Sequence, residues 1–535
     1  MPDAKATDGR AELTVLARGG ALNVVGTVTN AVLGFGLGLL IARGVGAHET
    51  GVFFEAVALF MIATVVTQLG ADVGVVRAIP RYRALGRDED ARGCLPVALA
   101  PVALASTVIA VLTFVTAPGI SSLLIPGSDD GALVPYLEVM APCLPFAALS
   151  KVILSSTRGF GTMVPFVTIE YLAKPFLRVV LAAAALIADL GPVGIALSWT
   201  VPVLLGFVAA ALWLGLLVRR TTPKPVDGGT RKSAGELAGD FWRFTSFRGA
   251  AAVFDVSVSW ADVLLVGALG SPKLAGIYAV ASRFVTVGSF GLQAIFLVVG
   301  PQMSALLARG DHARARLIYQ ASTAWLIALS FPIYLTMAVF APVLLGVFGT
   351  EFEKGSTALV ILALAMLMNM GTGTVSVLLL MGGKSAWNLG NTVAALVVNV
   401  VLNVLLIPPL GLAGAAIAWA ASIMVQNVTP LLQIWFLMRL QPAGPGYPVA
   451  AGAAVLCFGA LGLAASAAFG VSLPTMIGST TVAILLYAVL LGRGREALQL
   501  GVFTQILRRR RVTPATAPVA TERSPGSVVG SGTSA

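Results

Sequence analysis

Glu170, Lys174 and Arg178 recur every four residues within an otherwise apolar stretch. On a helix that spacing puts all three on one face. With a rise of about 1.5 Å per residue, Lys174 lies near the middle of the stretch and Arg178 further along it. A second apolar stretch carries Asp255 and Asp262, seven residues apart and again on one face, and a third carries Arg283 at a depth similar to Asp262. Two chemistries are open to such a set. Ammonium and guanidinium groups hold phosphate oxygens, arginine through several donors at once, which nominates Lys174, Arg178 and Arg283 as ligands for a phosphate-bearing group. Carboxylates in apolar surroundings can take up a proton or a sodium ion, which nominates Asp255 first, with Asp262 and Glu170. A structural reading stands beside these: Glu170 neutralises Lys174, Asp262 neutralises Arg283, and Arg178 is the cation left without an obvious partner. The acids of the apolar stretches (Glu55, Asp72, Glu138, Glu170, Asp255, Asp262) outnumber the bases (Lys151, Lys174, Arg178, Arg283). Charge alone therefore does not decide the sign of what is held.

Amides form a further set. Asn23, Thr27 and Asn30 share a helical face, and Asn399 and Asn403 lie four apart. They can contact sugar hydroxyls, Asn30 above all, or hydrogen-bond between helices; Gln293, Gln426 and Asn427 read the same way. Asp72 and Arg77 stand together at the end of an apolar stretch, as a gate or as a structural pair. Other chemistries are excluded. Two histidines, His48 and His312, and three scattered cysteines, Cys94, Cys143 and Cys457, supply no metal-ligand spacing and no disulfide framework. Gly383-Lys384-Ser385 lacks the glycine a phosphate-binding loop needs, since Leu378 holds that position. There is no Gly-x-Ser-x-Gly elbow and no His-Glu-x-x-His pair. The reading therefore assigns no catalytic residue, no metal and no cofactor.

These side chains must be carried by membrane spans. Of 535 residues, 57% are hydrophobic and only 11% charged, with a mean hydropathy of +0.91. Soluble domains hold roughly a quarter of their residues charged. A span takes about 20 apolar residues, and a lipid-exposed backbone must satisfy its own hydrogen bonds, so helices are expected. Fourteen approximate spans follow: 19–42, 51–75, 95–118, 132–154, 163–188, 193–218, 245–268, 275–301, 317–345, 356–380, 388–408, 411–437, 447–469 and 473–492. Pro175 is expected to kink the fifth. Residues 1–18 form a polar tail and not a cleaved leader, because the apolar run after it extends to Ala42.

With the N-terminus cytoplasmic, only Arg43, Lys273 and Lys354 fall outside and four bases sit within spans, leaving 28 of the 35 basic residues on the cytoplasmic side. This positive-inside bias explains the net charge of +11 without nucleic acid. Arg508 to Arg511 belong to the same pattern, either setting topology or meeting anionic lipid. Residues 512–535, rich in Pro, Ala, Thr, Ser and Gly, read as disordered. The loops expected outside are short, the longest about 119–131, which leaves no external domain for catalysis.

The chain repeats itself. Leu190-Gly191-Pro192-Val193-Gly194-Ile195-Ala196-Leu197-Ser198-Trp199 matches Leu410-Gly411-Leu412-Ala413-Gly414-Ala415-Ala416-Ile417-Ala418-Trp419 at an offset of 220 residues. Arg18-Gly19-Gly20-Ala21 resembles Arg248-Gly249-Ala250-Ala251. Gly86 to Arg92 resembles Gly310 to Arg314, and Gly46 to Gly51 resembles Gly270 to Gly276. The order is the same in both halves. A repeat of six spans gives two lobes of like orientation, with the substrate between them. The expected organisation is a tail at 1–18, an N-lobe at 19–218, a cytoplasmic linker at 219–244, a C-lobe at 245–437, two additional spans at 438–492 and a basic, then disordered, cytoplasmic tail at 493–535.

Two six-span lobes with two extra helices resemble the multidrug/oligosaccharidyl-lipid/polysaccharide exporter superfamily, and within it the polysaccharide transport or oligosaccharide flippase branch. The opening pattern Arg18-Gly19-Gly20, Gly44-Val45-Gly46, Gly51-Val52-Phe53 and the exit Gly70-Ala71-Asp72-Val73-Gly74-Val75-Val76-Arg77 carry the likeness, which covers about residues 15–495. The resemblance implies alternating-access export of a polyprenyl-pyrophosphate-linked oligosaccharide across a bacterial plasma membrane for cell-surface polysaccharide synthesis. It implies a lipid-linked oligosaccharide and membrane lipids as partners, with glycosyltransferases or a polymerase of the same pathway, and proton or sodium coupling. Rivals are a cation-coupled multidrug exporter, a peptidoglycan-precursor flippase and, as an enzyme, a membrane glycan polymerase or ligase.

Overall fold

The computed structural model describes residues 3–125, 131–220, 232–288, 309–381 and 384–498, with scattered positions between 292 and 307. Gln293, residues 221–231 of the expected linker, and the tail with Arg508 to Arg511 lie outside the described residues. Every regular element among those described is helical, and eleven helices are long and apolar enough to cross a membrane. The fold is all-α, with two pseudo-symmetric lobes and additional C-terminal helices.

The first two expected spans form one helical run, Asp3–Gln68, broken where Gly46 takes φ 78°. That left-handed value suits a residue without Cβ. The run begins well before residue 19, so the expected tail is helical through its Ala, Glu, Leu and Arg content. Its far end differs from expectation. Leu69 (φ 52°) and Gly70 (φ 77°) interrupt the second span, and a separate helix, Ala71–Ala84, continues from them.

The fifth and eighth expected spans fall outside the eleven. In the fifth, a π-helical segment, Phe166–Ala173, precedes helix Lys174–Ile187. Pro175 cannot donate to Tyr171 and its ring crowds that carbonyl, so the distortion appears as a widened turn before the proline. The eighth is described as Pro272–Gly288. The seventh starts ahead of the expected 245, at Ala234, because Ser233 and Glu236 form a capping box.

The duplication is visible in the backbone. Gly191 (φ 60°) and Gly411 (φ 55°) precede or open matching helices, Gly191–Arg220 and Leu412–Met438. Gly86 and Gly310 both take φ 70° in the matching turns. The last two long segments, Gly446–Phe469 and Leu473–Arg493, lie outside the repeat and dock on helix His312–Val339. There the Tyr487 hydroxyl donates to the Ala328 carbonyl at 2.9 Å, and the Trp325 indole donates to the Leu498 carbonyl at 2.7 Å.

The halves meet through glycine at two levels. A Cβ on Gly51 would stand 1.7 Å from the Pro272 carbonyl oxygen, and one on Gly276 would stand 2.2 Å from that of Ala47. Toward the other face, a Cβ on Gly70 would come within 2.5 Å of Gly249 N, and one on Gly249 within 2.6 Å of Leu69. Such backbone-to-backbone approach is how small residues let membrane helices pack.

Candidate functional site

Between the two glycine seams lies a cavity of about 310 Å³, lined on one side by Val65, Gln68, Gly70 and Asp72 and on the other by Asp255, Ser259 and Trp260 among others. Asp72 and Asp255 are its charged groups. The other nominated residues take up three further positions.

Lys174 is buried with Glu170, but in a triad and not a pair. Glu170 Oε2 accepts from Lys174 Nζ at 2.8 Å and Oε1 from Lys151 Nζ at 2.7 Å, while Lys174 also donates to Ser150 Oγ at 3.1 Å. Two ammoniums thus share one carboxylate. Arg178, one turn further along, lies 3.5 Å over the Trp199 ring. It forms no ion pair among the described residues, and its buried Nε has no hydrogen-bond partner there. A desolvated guanidinium on a tryptophan face is held by about 2 kcal/mol or more.

Asp262 and Arg283 do not neutralise each other. Asp262 is buried, with Oδ2 accepting from Tyr278 Oη at 3.2 Å and Oδ1 from Asn403 Nδ2 at 2.8 Å. Asn403 also donates to Asn399 Oδ1 at 3.1 Å within its own helix, while its bond to Asp262 joins two helices. Arg283 is held by rings instead, 4.8 Å from Trp260 and 5.1 Å from Phe54. The Asp262 carboxylate is instead engaged by the Tyr278 hydroxyl and the Asn403 amide.

Asp72 and Arg77 do not pair either, being five residues apart and on different faces of their helix. Asp72 faces the cavity, whereas Arg77 lies 3.8 Å over the Phe244 ring in a separate recess with Arg81, Asp240 and Arg243. Asn30 is half-buried on the first helix, away from the cavity lining. Asn427, buried, donates to the Ile423 carbonyl and accepts from Thr372.

Sequence reasoning gave no role to Glu55, which is fully buried against Gly267 with neither carboxylate oxygen hydrogen-bonded among the described residues. It also passed over Trp199, Trp260 and Phe244 as cation platforms. The spacing of Arg77 and Arg81, one turn apart, was the signal for the basic recess.

A profile of the family described as "Polysaccharide biosynthesis protein" matches residues 16–307, more than half of the chain. The chain belongs to that family. A second profile, MatE, matches residues 250–410 of the chain. The probable low-salt glycan biosynthesis flippase Agl15 of Haloferax volcanii is 24% identical over 403 residues, covering 74% of this chain and 79% of the relative. Stage V sporulation protein B of Bacillus subtilis is 27% identical over 153 residues, 29% of each chain. Among solved structures, the lipid II flippase MurJ in an inward closed conformation superposes with a TM-score of 0.71 at 12% identity, covering 89% of this chain and 98% of that one. An inward-facing multidrug resistance MATE family transporter gives 0.61 at 17% identity, covering 77% and 96%. The family and these neighbours share the two-lobe membrane architecture.

Proposed function

We propose that this protein is a flippase that moves a polyprenyl-diphosphate-linked oligosaccharide across a bacterial plasma membrane by alternating access, with both termini cytoplasmic. The observation that carries the reading is a polar cavity bracketed by two glycine seams between duplicated halves. Parting one seam while the other stays closed would expose the cavity to one side at a time. The glycan-flippase name of a relative aligned over most of its length supports the substrate class. In this reading the headgroup meets the polar interior, the polyprenyl tail stays in lipid, and no covalent bond changes.

Lys174, Arg178 and Arg283 are the proposed phosphate ligands, with Asn30 toward the sugars. Arg178 and Arg283 have aromatic platforms and no carboxylate in ion-pair contact among the described residues, so their charges are available to an anion. Asp255, exposed in the cavity, and Asp262 with Glu170 are the proposed coupling carboxylates for a proton or sodium ion. Asp72 and Arg77, beside the Gly70–Gly249 seam, are the proposed gate. Glycosyltransferases or a polymerase would supply and consume the lipid-linked glycan.

One observation favours a second reading: Asp72 and Asp255 make the cavity acidic, which suits a cation-coupled exporter of drug-like cations. A peptidoglycan-precursor flippase shares the fold. The deciding experiment follows leaflet accessibility of a fluorescent polyprenyl-diphosphate oligosaccharide in proteoliposomes. Transfer by the wild type that fails in Arg178→Ala supports the flippase. Loss in Asp255→Asn alone moves weight to ion coupling. No transfer under any imposed ion gradient, with efflux of a cationic dye, sinks the flippase reading for the exporter.

A further inference from the structure

Below the Gly70–Gly249 seam, helices Ala71–Ala84 and Ala234–Leu269 diverge around a recess of about 300 Å³ lined by Arg77, Arg81, Asp240, Arg243 and Phe244. It lies across the join between the halves, since Gly74 on one helix packs on Phe241 and Thr245 of the other. Arg77 and Arg81 are one turn apart on one helical face, where like charges repel, and Arg243 faces them from the second helix. None of the three forms an ion pair among the described residues. The single carboxylate of the recess, Asp240, is already engaged by Lys232. Arg77 is further fixed by the Phe244 ring. A positive-inside bias places arginines on this face, but it does not require three of them to share one recess with one carboxylate, Asp240, that Lys232 also engages.

We propose that this recess is an inter-lobe anion site that takes a diphosphate group. Guanidiniums donate to phosphate oxygens in forked pairs, and two linked phosphates reach from Arg77 and Arg81 on one helix to Arg243 on the other. An occupied site relieves the repulsion among the arginines and draws the two helices together, so it holds the adjacent seam closed. The flippase reading above bears only on the source of the diphosphate, lipid carrier or free anion.

The test uses the full chain in neutral detergent or nanodiscs, with inorganic pyrophosphate as probe. The expected result is a saturable rise in thermal stability, with an apparent dissociation constant weakened tenfold or more in Arg77→Gln and in Arg243→Gln and unchanged in Arg439→Gln, an exposed arginine outside the recess. Pyrophosphate should also slow thiol labelling of Ser259→Cys in the neighbouring cavity. Displacement by a polyprenyl diphosphate identifies the carrier as the source; displacement by inorganic phosphate, with the polyprenyl diphosphate inert, identifies a free anion. Absence of binding, equal binding in all three variants, or equal displacement by phosphatidylglycerol overturns the proposal. Pyrophosphate binding without glycan transfer retires the flippase reading and leaves the site standing, whereas transfer without binding does the reverse.

Discussion

The Arg178 guanidinium lies 3.5 Å over the ring of Trp199, a residue that opens neither a polar channel nor an ion pair but fixes a cation inside the N-terminal half. The contact is with a π-face, and the buried Nε–H at the guanidinium edge has no hydrogen-bond partner among the described residues. Arg178→Ala should lower the initial rate of glycan transfer at least tenfold, and Arg178→Lys should restore only part of it, since an ammonium lacks the planar fork. Trp199→Ala should act in the same direction. A wild-type rate in Arg178→Ala would remove this residue from the headgroup site.

Gly51 cannot carry a side chain while the seam at Pro272 is closed. Gly51→Ala should therefore bias the protein toward states in which the 47–51 and 272–276 segments are apart. A cysteine placed at Ala47, buried in the closed seam, reports this directly. Gly51→Ala should raise its reaction with a membrane-impermeant maleimide several-fold; the native Cys94, Cys143 and Cys457 are buried. Unchanged labelling would show that the contact does not govern access.

Glu55 is buried, and neither of its carboxylate oxygens has a hydrogen-bond partner among the described residues. An unsatisfied buried polar group costs about 1–3 kcal/mol. Glu55→Leu should accordingly stabilise the protein by about that amount, read as a rise in thermal unfolding temperature in detergent. A fall would mean that the carboxyl has a partner supplied by lipid or ligand.

Asn403 is the shortest hydrogen-bond donor to Asp262, at 2.8 Å. Asn403→Leu removes this donor and should destabilise by about 1–3 kcal/mol. Asp262→Asn in the same background should recover part of the loss, because a neutral amide needs less compensation than a charge. A double-mutant cycle with no coupling between the two positions would refute the contact's importance.

Much of the architecture was legible before any coordinates. Long apolar runs located the helices, and the repeated Leu-Gly-x-x-Gly segments anticipated two glycines of nearly equal left-handed φ, Gly191 and Gly411. What escaped was set by neighbours distant in sequence. Counting along the chain puts Asp262 and Arg283 at a similar depth, yet Tyr278 and Asn403 hold the carboxylate; spacing along one helix carries no information about the rotation of another. The triad at Glu170 was half legible, because Lys174 lies on the same helix whereas Lys151 comes from a different one. The π-helical segment before Pro175 shows how a proline relocates its distortion upstream. The start of the seventh span was written in Ser233 and Glu236, a local signal that the hydropathy of the following run obscured.

The paired glycines also say something about speed. A gate built from interlocking side chains must unseat rotamers each time it opens, and each unseating adds an activation barrier. At Gly51 and Gly276, and at Gly70 and Gly249, backbone rests on backbone, so there is little to disengage beyond short-range dispersion. The turnover of such a machine would then be limited by its cargo, in the stripping and renewal of water around a charged headgroup, more than by the protein's own moving parts.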